Sequence, residues 1–145
     1  MTTQRAAVVG LLTASATWTA LVTGGTSLRE ALGRTGLRPE TATYDANGKL
    51  ALTAVVTFGT ASGKEIVRNS ERRYFQVWLY HDSSYEQIAL ARRLAKDLLH
   101  QKQAVSATEG LNWIMWADDG PEFVADELGG AAAAVSRYYV DYTRR

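Results

Sequence analysis

Three groups of residues in this chain have types and spacing that could do chemistry. The first is Thr23-Gly24-Gly25-Thr26-Ser27, which follows the apolar run Ala20-Leu21-Val22. A glycine turn between an apolar run and a helix can cradle a pyrophosphate, because bare backbone N–H groups approach the phosphate oxygens. Nucleotide loops of the dehydrogenase kind read Thr-Gly-x-x-x-Gly-x-Gly. Here the later glycine positions hold Leu28 and Glu30, which obstruct that approach, and Glu30 adds negative charge. Tyr85 has no lysine four residues on, and no G-x-x-x-x-G-K-[ST] loop is present. The stretch is therefore expected to be a glycine break ahead of a short capped helix, with no nucleotide and no other cofactor.

The second group is the histidines, of which there are two, His81 and His100. His81-Asp82 suggests an acid–base dyad, but neighbouring residues on a strand point to opposite faces. His100 falls in a last helical turn, where a cation suits the helix dipole. Neither has a metal-ligand partner at a recognised spacing, so no catalytic and no metal site is expected. The third group is acidic: Glu109, Asp118, Asp119, Glu122, Asp126 and Glu127 lie in a window without Lys or Arg. Asp118-Asp119-Gly120-Pro121-Glu122 could offer oxygens to a divalent cation, but lacks the D-x-D-x-D-G pattern. A solvated loop is expected.

Basic residues gather elsewhere. Lys64, Arg68, Arg72 and Arg73 cluster in one stretch, Arg92, Arg93, Lys96 and Lys102 in another, and Arg144 and Arg145 close the sequence. Two readings stand side by side. One is ordinary surface charge. The other is a head-to-tail contact between copies, in which Asp118, Asp119 and Glu122 face Arg68, Arg72 and Arg73, or Arg92, Arg93 and Lys96, of the next subunit. Aromatic residues add a second candidate surface. Tyr74, Trp78 and Tyr80 share one strand face, Tyr138 and Tyr142 share another, and Trp113 and Trp116 flank a further strand. Trp78 and Tyr80 are the candidate partner contacts, since Tyr and Trp suit surfaces that become buried.

The elements that must position these residues follow from periodicity. Gln4 to about Ala16 reads as a helix with Val8, Val9, Leu12 and Ala16 on one stripe. Ser27 and Glu30 stand in a capping-box relation, and Gly33, Gly36 and Pro39 end the second helix. Tyr44–Lys49 carries Asn-Gly turn chemistry. Leu50 to Phe58 alternates as a strand, with Leu50, Leu52, Ala54, Val56 and Phe58 on one face. Gly59–Glu71 is a polar loop. Arg72–Tyr80 is a second strand, with Phe75, Val77 and Leu79 inward. Ser83 and Glu86 cap the clearest helix, whose broad stripe runs through Ile88, Leu90, Ala91, Leu94, Ala95, Leu98 and Leu99. Leu111–Ala117 and Val135–Thr143 are the remaining strands, with Glu122–Gly130 a loop. The expected fold is α+β, an antiparallel four-stranded sheet with helices packed on one face, in the order α(α)-β-β-α-β-β.

Length and composition fit one domain, 1–145. The 145 residues are 46% hydrophobic and 21% charged, with a net charge of +1. That balance gives no global pull toward nucleic acid or an anionic membrane. With no cysteine, disulfides, thiolate metal sites and cysteine nucleophiles are excluded. Neither a signal peptide nor a membrane span is read in the first 18 residues.

The segments ALTAVVTFG (Ala51–Gly59), RYFQVWLYHDSSYEQIALARRLAKDLL (Arg73–Leu99), the acidic loop and RYYVDYT (Arg137–Thr143) together resemble the tail-terminator, or tail-completion, proteins of long-tailed bacteriophages. The likeness lies in length and element order and runs from about Gln4 to Arg145. It implies a structural virion protein of the tail or neck, assembled in the host cytoplasm, with no catalytic residues. It implies a homo-oligomeric ring, usually of six, that caps the tail tube, ends its polymerisation and meets the head-completion protein. DNA would pass through the ring without specific binding. The alternatives are another neck or head–tail connector protein, or a small α+β ligand-binding domain or enzyme with a pocket between helix and sheet.

Overall fold

A computed structural model of the chain describes residues 4–29, 42–58, 64–67, 70–105 and 109–144. The first apolar stripe forms α1, Gln4–Thr13, with Val8 and Leu12 fully buried. The helix stops short of Ala16. Ser15 takes an extended conformation and its hydroxyl accepts the Trp18 N–H, starting a separate short helix α2, Ala16–Leu21. Trp18 is fully buried, and its indole N–H donates to the Thr26 hydroxyl at 2.8 Å.

The glycine pair that opened the chemical question is a joint. Gly24 N–H donates to the Leu52 carbonyl, and the Gly25 carbonyl accepts from Ala54 N–H. A Cβ at Gly24 would collide with the Thr53 hydroxyl and come 2.9 Å from the Leu52 carbonyl oxygen. Gly25 sits at φ +88°, a conformation other residues rarely take. This close approach lays Thr26–Arg29 against Thr53–Phe58 as two parallel strands, β1 and β2. The second helix expected from Ser27 onward is therefore a strand at its start. Glu30 and the expected helix end at Gly33, Gly36 and Pro39 lie outside the described residues.

The expected antiparallel four-stranded sheet with helices packed on one face is corrected. The sheet is mixed and curled, with six strands side by side in the order β1-β2-β4-β7-β6-β5. Here β4 is Ser70–His81, β5 Lys102–Val105, β6 Glu109–Ala125 and β7 Ala131–Arg144. A seventh strand, β3 (Lys64–Val67), pairs with the first residues of β4, on the side that β2 leaves free beyond Phe75. Part of the expected polar loop is thus strand, while 59–63 and 68–69 lie outside the described residues. β6 is longer than expected because register shifts at Trp116/Asp118 and Asp119/Glu122 absorb the Asp-Asp-Gly-Pro stretch. Bulges let a strand continue where Gly and Pro would otherwise end it.

The third helix, α3, spans Tyr85–Leu99, and Ser84, rather than Ser83, caps it by accepting the Gln87 N–H. Ile88, Ala91, Ala95 and Leu99 are buried against the sheet, whereas Leu90, expected on the same stripe, is 45% exposed. They join Val8, Leu12 and Trp18 over Leu52, Val56, Phe75, Val77, Leu79 and Tyr138 in one apolar cluster. Phe75 stacks between Phe58 and Tyr138, with centroids at 5.1 and 5.4 Å, so three strands share one aromatic column. α1 touches both edge strands, β1 and β5, and so bridges the open side of the curl. The opposite sheet face is partly covered: Leu50, Val55, Tyr80, Ala125 and Ala133 form a second cluster with Trp78 and Phe123. All six residues of β2 are buried, which is why its alternation resolves into two cores.

Candidate functional site

Both histidines brace α3. His81 Nδ1 accepts the backbone N–H groups of Ser83 and Ser84, at 3.2 and 3.0 Å, in the turn before the helix. His100 Nδ1 accepts the Trp116 N–H at 2.9 Å, just after it. Each lone pair that a general base would use is thereby engaged. His81 and Asp82 also line a polar hollow of about 340 Å³ with Asp45, Lys49 and Gln87. Asp45 is occupied in its own turn, where its carboxylate accepts from Asn47 and Lys49 N–H. Among the described residues no group of three or more His, Asp or Glu is arranged to hold a metal ion. No helix among them is long and apolar enough to cross a membrane.

The acidic and basic candidates fall together. β6 and β7 pair Asp118 with Arg137, which forms a two-point ion pair at 2.7 and 2.6 Å on the face away from the helices. On the helix face, the Asp119 carboxylate accepts the Ser136 hydroxyl at 2.7 Å and the Trp116 indole N–H at 3.1 Å. Arg92 reaches from α3 across the bulge and donates to the Gly120 and Val135 carbonyls, at 2.7 and 2.9 Å. Lys96 seats its ammonium 4.0 Å from the Trp116 ring centre, an attraction of cation to ring face. Arg93 is exposed beside them, and a hollow of about 310 Å³ is lined by Ala89, Arg92, Arg93, Lys96 and Asp119. Arg72 pairs with Asp141 at 2.8 Å and lies over the Tyr139 ring at 4.3 Å. Arg73 is half-buried on the other face of β4, and Glu122 is exposed. Arg68 lies outside the described residues, as do the side chains of Glu109, Glu127, Tyr142 and Arg144.

These contacts set the local electrostatics. The hydrogen bond from Arg72 to Asp141 holds that guanidinium above its ordinary value against the opposing effect of burial. Asp118 does the same for Arg137. Tyr138 is fully buried, and burial pushes its hydroxyl far above the usual tyrosine range; the Asp119 charge adds to this and Arg92 opposes it. Among the described residues, the Tyr138 hydroxyl and Arg92 Nε are buried without a hydrogen-bond partner.

Of the candidate aromatic contacts, Tyr80 is 2% exposed inside the second cluster. Trp78 is half-buried, donates to the Thr57 hydroxyl at 2.9 Å and meets Phe123 edge-on. The exposed aromatic ground lies further along the same face. Register aligns Met115, Tyr139 and Tyr74 in one row across β6, β7 and β4. Tyr74 is 46% exposed and Trp113 54%. The Arg72–Asp141 and Arg137–Asp118 pairs flank this row, so its charges are matched within the chain. Tyr139, Met115, Arg137 and Asp141 were not singled out in the sequence. The alternation of Tyr74, Arg72 and Tyr139, Arg137 was the available signal, but only the strand register converts it into contacts.

No protein-family model matches the sequence, and no curated protein does either. The fold does have a solved counterpart. The chain superposes on a chain from a structure described as "Virion of native gene transfer agent (GTA) particle", with a TM-score of 0.63 at 16% identity. The match covers 98% of this chain and 95% of that one. From its first helix to its last strand, this chain therefore shares the fold of a component of a gene transfer agent virion.

Proposed function

We propose that this chain is a structural virion protein that forms a ring on the end of a tail tube, ends tube polymerisation and joins the tail to the neck. The end-to-end fold match to a virion chain carries this reading. The uncovered part of the sheet face supports it: Tyr74, Tyr139 and Trp113, with Met115 beside them, offer aromatic and apolar contact area while Arg72 and Arg137 are already paired. Such a face suits a protein partner better than a phosphate backbone, which needs unpaired cations. The protein carries no chemistry of its own in this reading and needs no cofactor. Its partners are further copies of itself, the tail-tube protein and a head-completion protein.

The test is polymerisation of the tail-tube protein with and without this chain, followed by negative-stain electron microscopy. The expected result is tubes of limited length with a ring at one end. Tubes that grow to the same lengths in both samples, with no density at their ends, would refute it.

A further inference from the structure

The α3–β6 face carries both signs of charge side by side. Two hydrogen bonds fasten the elements, Arg92 to the Gly120 carbonyl and the Tyr85 hydroxyl to the Phe123 carbonyl at 2.9 Å. On the α3 side, Arg93 and Lys96 are exposed around the basic hollow. On the β6 side, Glu122 is exposed next to Val124, which is 55% exposed. Among the described residues neither Arg93 nor Glu122 forms an ion pair. Asp119, the acid inside the hollow, is already taken by Ser136 and Trp116.

A head-to-tail contact needs its two complementary patches on different sides of a subunit. Here acid and base sit on one side, which is the arrangement of a patch complementary to itself after a two-fold rotation. We propose that this face docks on the same face of a second copy. Glu122 of each chain enters the basic hollow of the other, and the two Val124 side chains meet near the axis. A nucleic acid fits poorly, because Asp119 and Glu122 would face its phosphates. The contact is additional to the tail-end ring and does not depend on it.

Arg93→Glu and Glu122→Lys test the proposal, since both side chains are exposed and neither makes an ion pair within the described chain. Sedimentation velocity at low salt should show the parent protein as a two-chain species that dissociates as salt rises. Each variant alone, with unchanged circular dichroism, should self-associate about tenfold more weakly or worse, because like charges then meet at both contacts. Mixed in equal amounts, the two variants should recover the two-chain species, because each supplies the opposite charge at both contacts. Should Glu122→Lys misfold, Glu122→Gln replaces it and should weaken association, with the mixture recovering only in part through the one Glu122–Arg93 contact that remains.

A parent protein that stays single-chain at high concentration overturns the proposal. So do variants that associate like the parent, or a mixture that recovers only closed assemblies of more than two chains. Retardation of duplex DNA that Arg93→Glu abolishes, with self-association unchanged, would reassign the hollow to phosphate and also overturn it. The tube-length assay on the parent protein judges the ring separately.

Discussion

Replacing Tyr138 with Phe should stabilise the protein, and increasingly so in alkali. The ring is fully buried and stacks on Phe75 at 5.4 Å with an interplanar angle of 11°, contacts that Phe keeps. Only the hydroxyl is lost, and it is buried without a hydrogen-bond partner. Burying an unpaired hydroxyl costs about 1–3 kcal/mol by protein mutational measures, so a gain of about 1 kcal/mol at neutral pH is expected. Burial, reinforced by Asp119, raises the folded-state pKa of Tyr138 well above its unfolded value. A raised folded pKa means the contribution is complete below the unfolded value, near pH 10, and lost as pH climbs from there. At pH 11 the unfolded parent gains about 1.4 kcal/mol from ionising this one phenol, and the variant does not. Urea unfolding of both proteins at pH 7 and pH 11 measures this, and the difference between them removes the other tyrosines. A variant less stable than the parent at pH 7, or a difference that does not widen by pH 11, would refute the reasoning.

Other perturbations have equally definite outcomes. Gly24→Ala should cost about 1–3 kcal/mol in urea unfolding, because its Cβ must displace the Leu52 carbonyl and Thr53 at the β1–β2 joint. Gly120→Ala should cost a similar amount, about 1–3 kcal/mol, since Val135 Cγ1 and the Val135 carbonyl stand 2.7 and 3.1 Å from the new methyl group. Arg92→Met keeps the stem but strips the donor from the Gly120 and Val135 carbonyls, and should cost about 2 kcal/mol with faster amide exchange in β6. Asp118→Asn should leave the thermal midpoint unchanged at moderate salt, because the pair with Arg137 is on the surface.

What could be read in advance was whatever local pattern alone decides. α3 was legible because its apolar stripe repeats over four turns, and β4 and β7 because alternating residues face one core. The segment from Thr26 reads as a helix start because Ser27-x-x-Glu30 matches a capping box, yet Thr26–Arg29 is a strand. What holds it extended is remote: Gly24 against Leu52, and Thr26 under the Trp18 indole. β5 escaped notice because it is four residues long and begins with exposed Lys102 and Gln103. β6 was cut short because Asp118–Pro121 looks like a turn, whereas the bulges and Arg92 hold it within a strand. The candidate surfaces suffered most. Asp118 and Arg137 are 19 residues apart in sequence, and Arg72 and Asp141 are 69 apart. Charge runs along a chain do not say which charges the register will neutralise.

The seating of α1 against both edge strands also dictates an order of events in folding. An isolated helix of this length is marginal in water, and α1 has no acidic residue in its first turn or basic residue in its last to help it. Its stability must come from its seat, formed by β1 on one side, β5 on the other and α3 beside them. β5 holds its place only through β6, which is in turn held by β7, near the far end of the sequence. The first helix of the chain therefore has only part of its seat until the last strands have paired. During synthesis it waits, and the two sheet edges it will cover are open to other chains for that interval. Slow, long-range closure should govern the folding rate, and a crowded translation of this protein should lose material to aggregation before α1 docks.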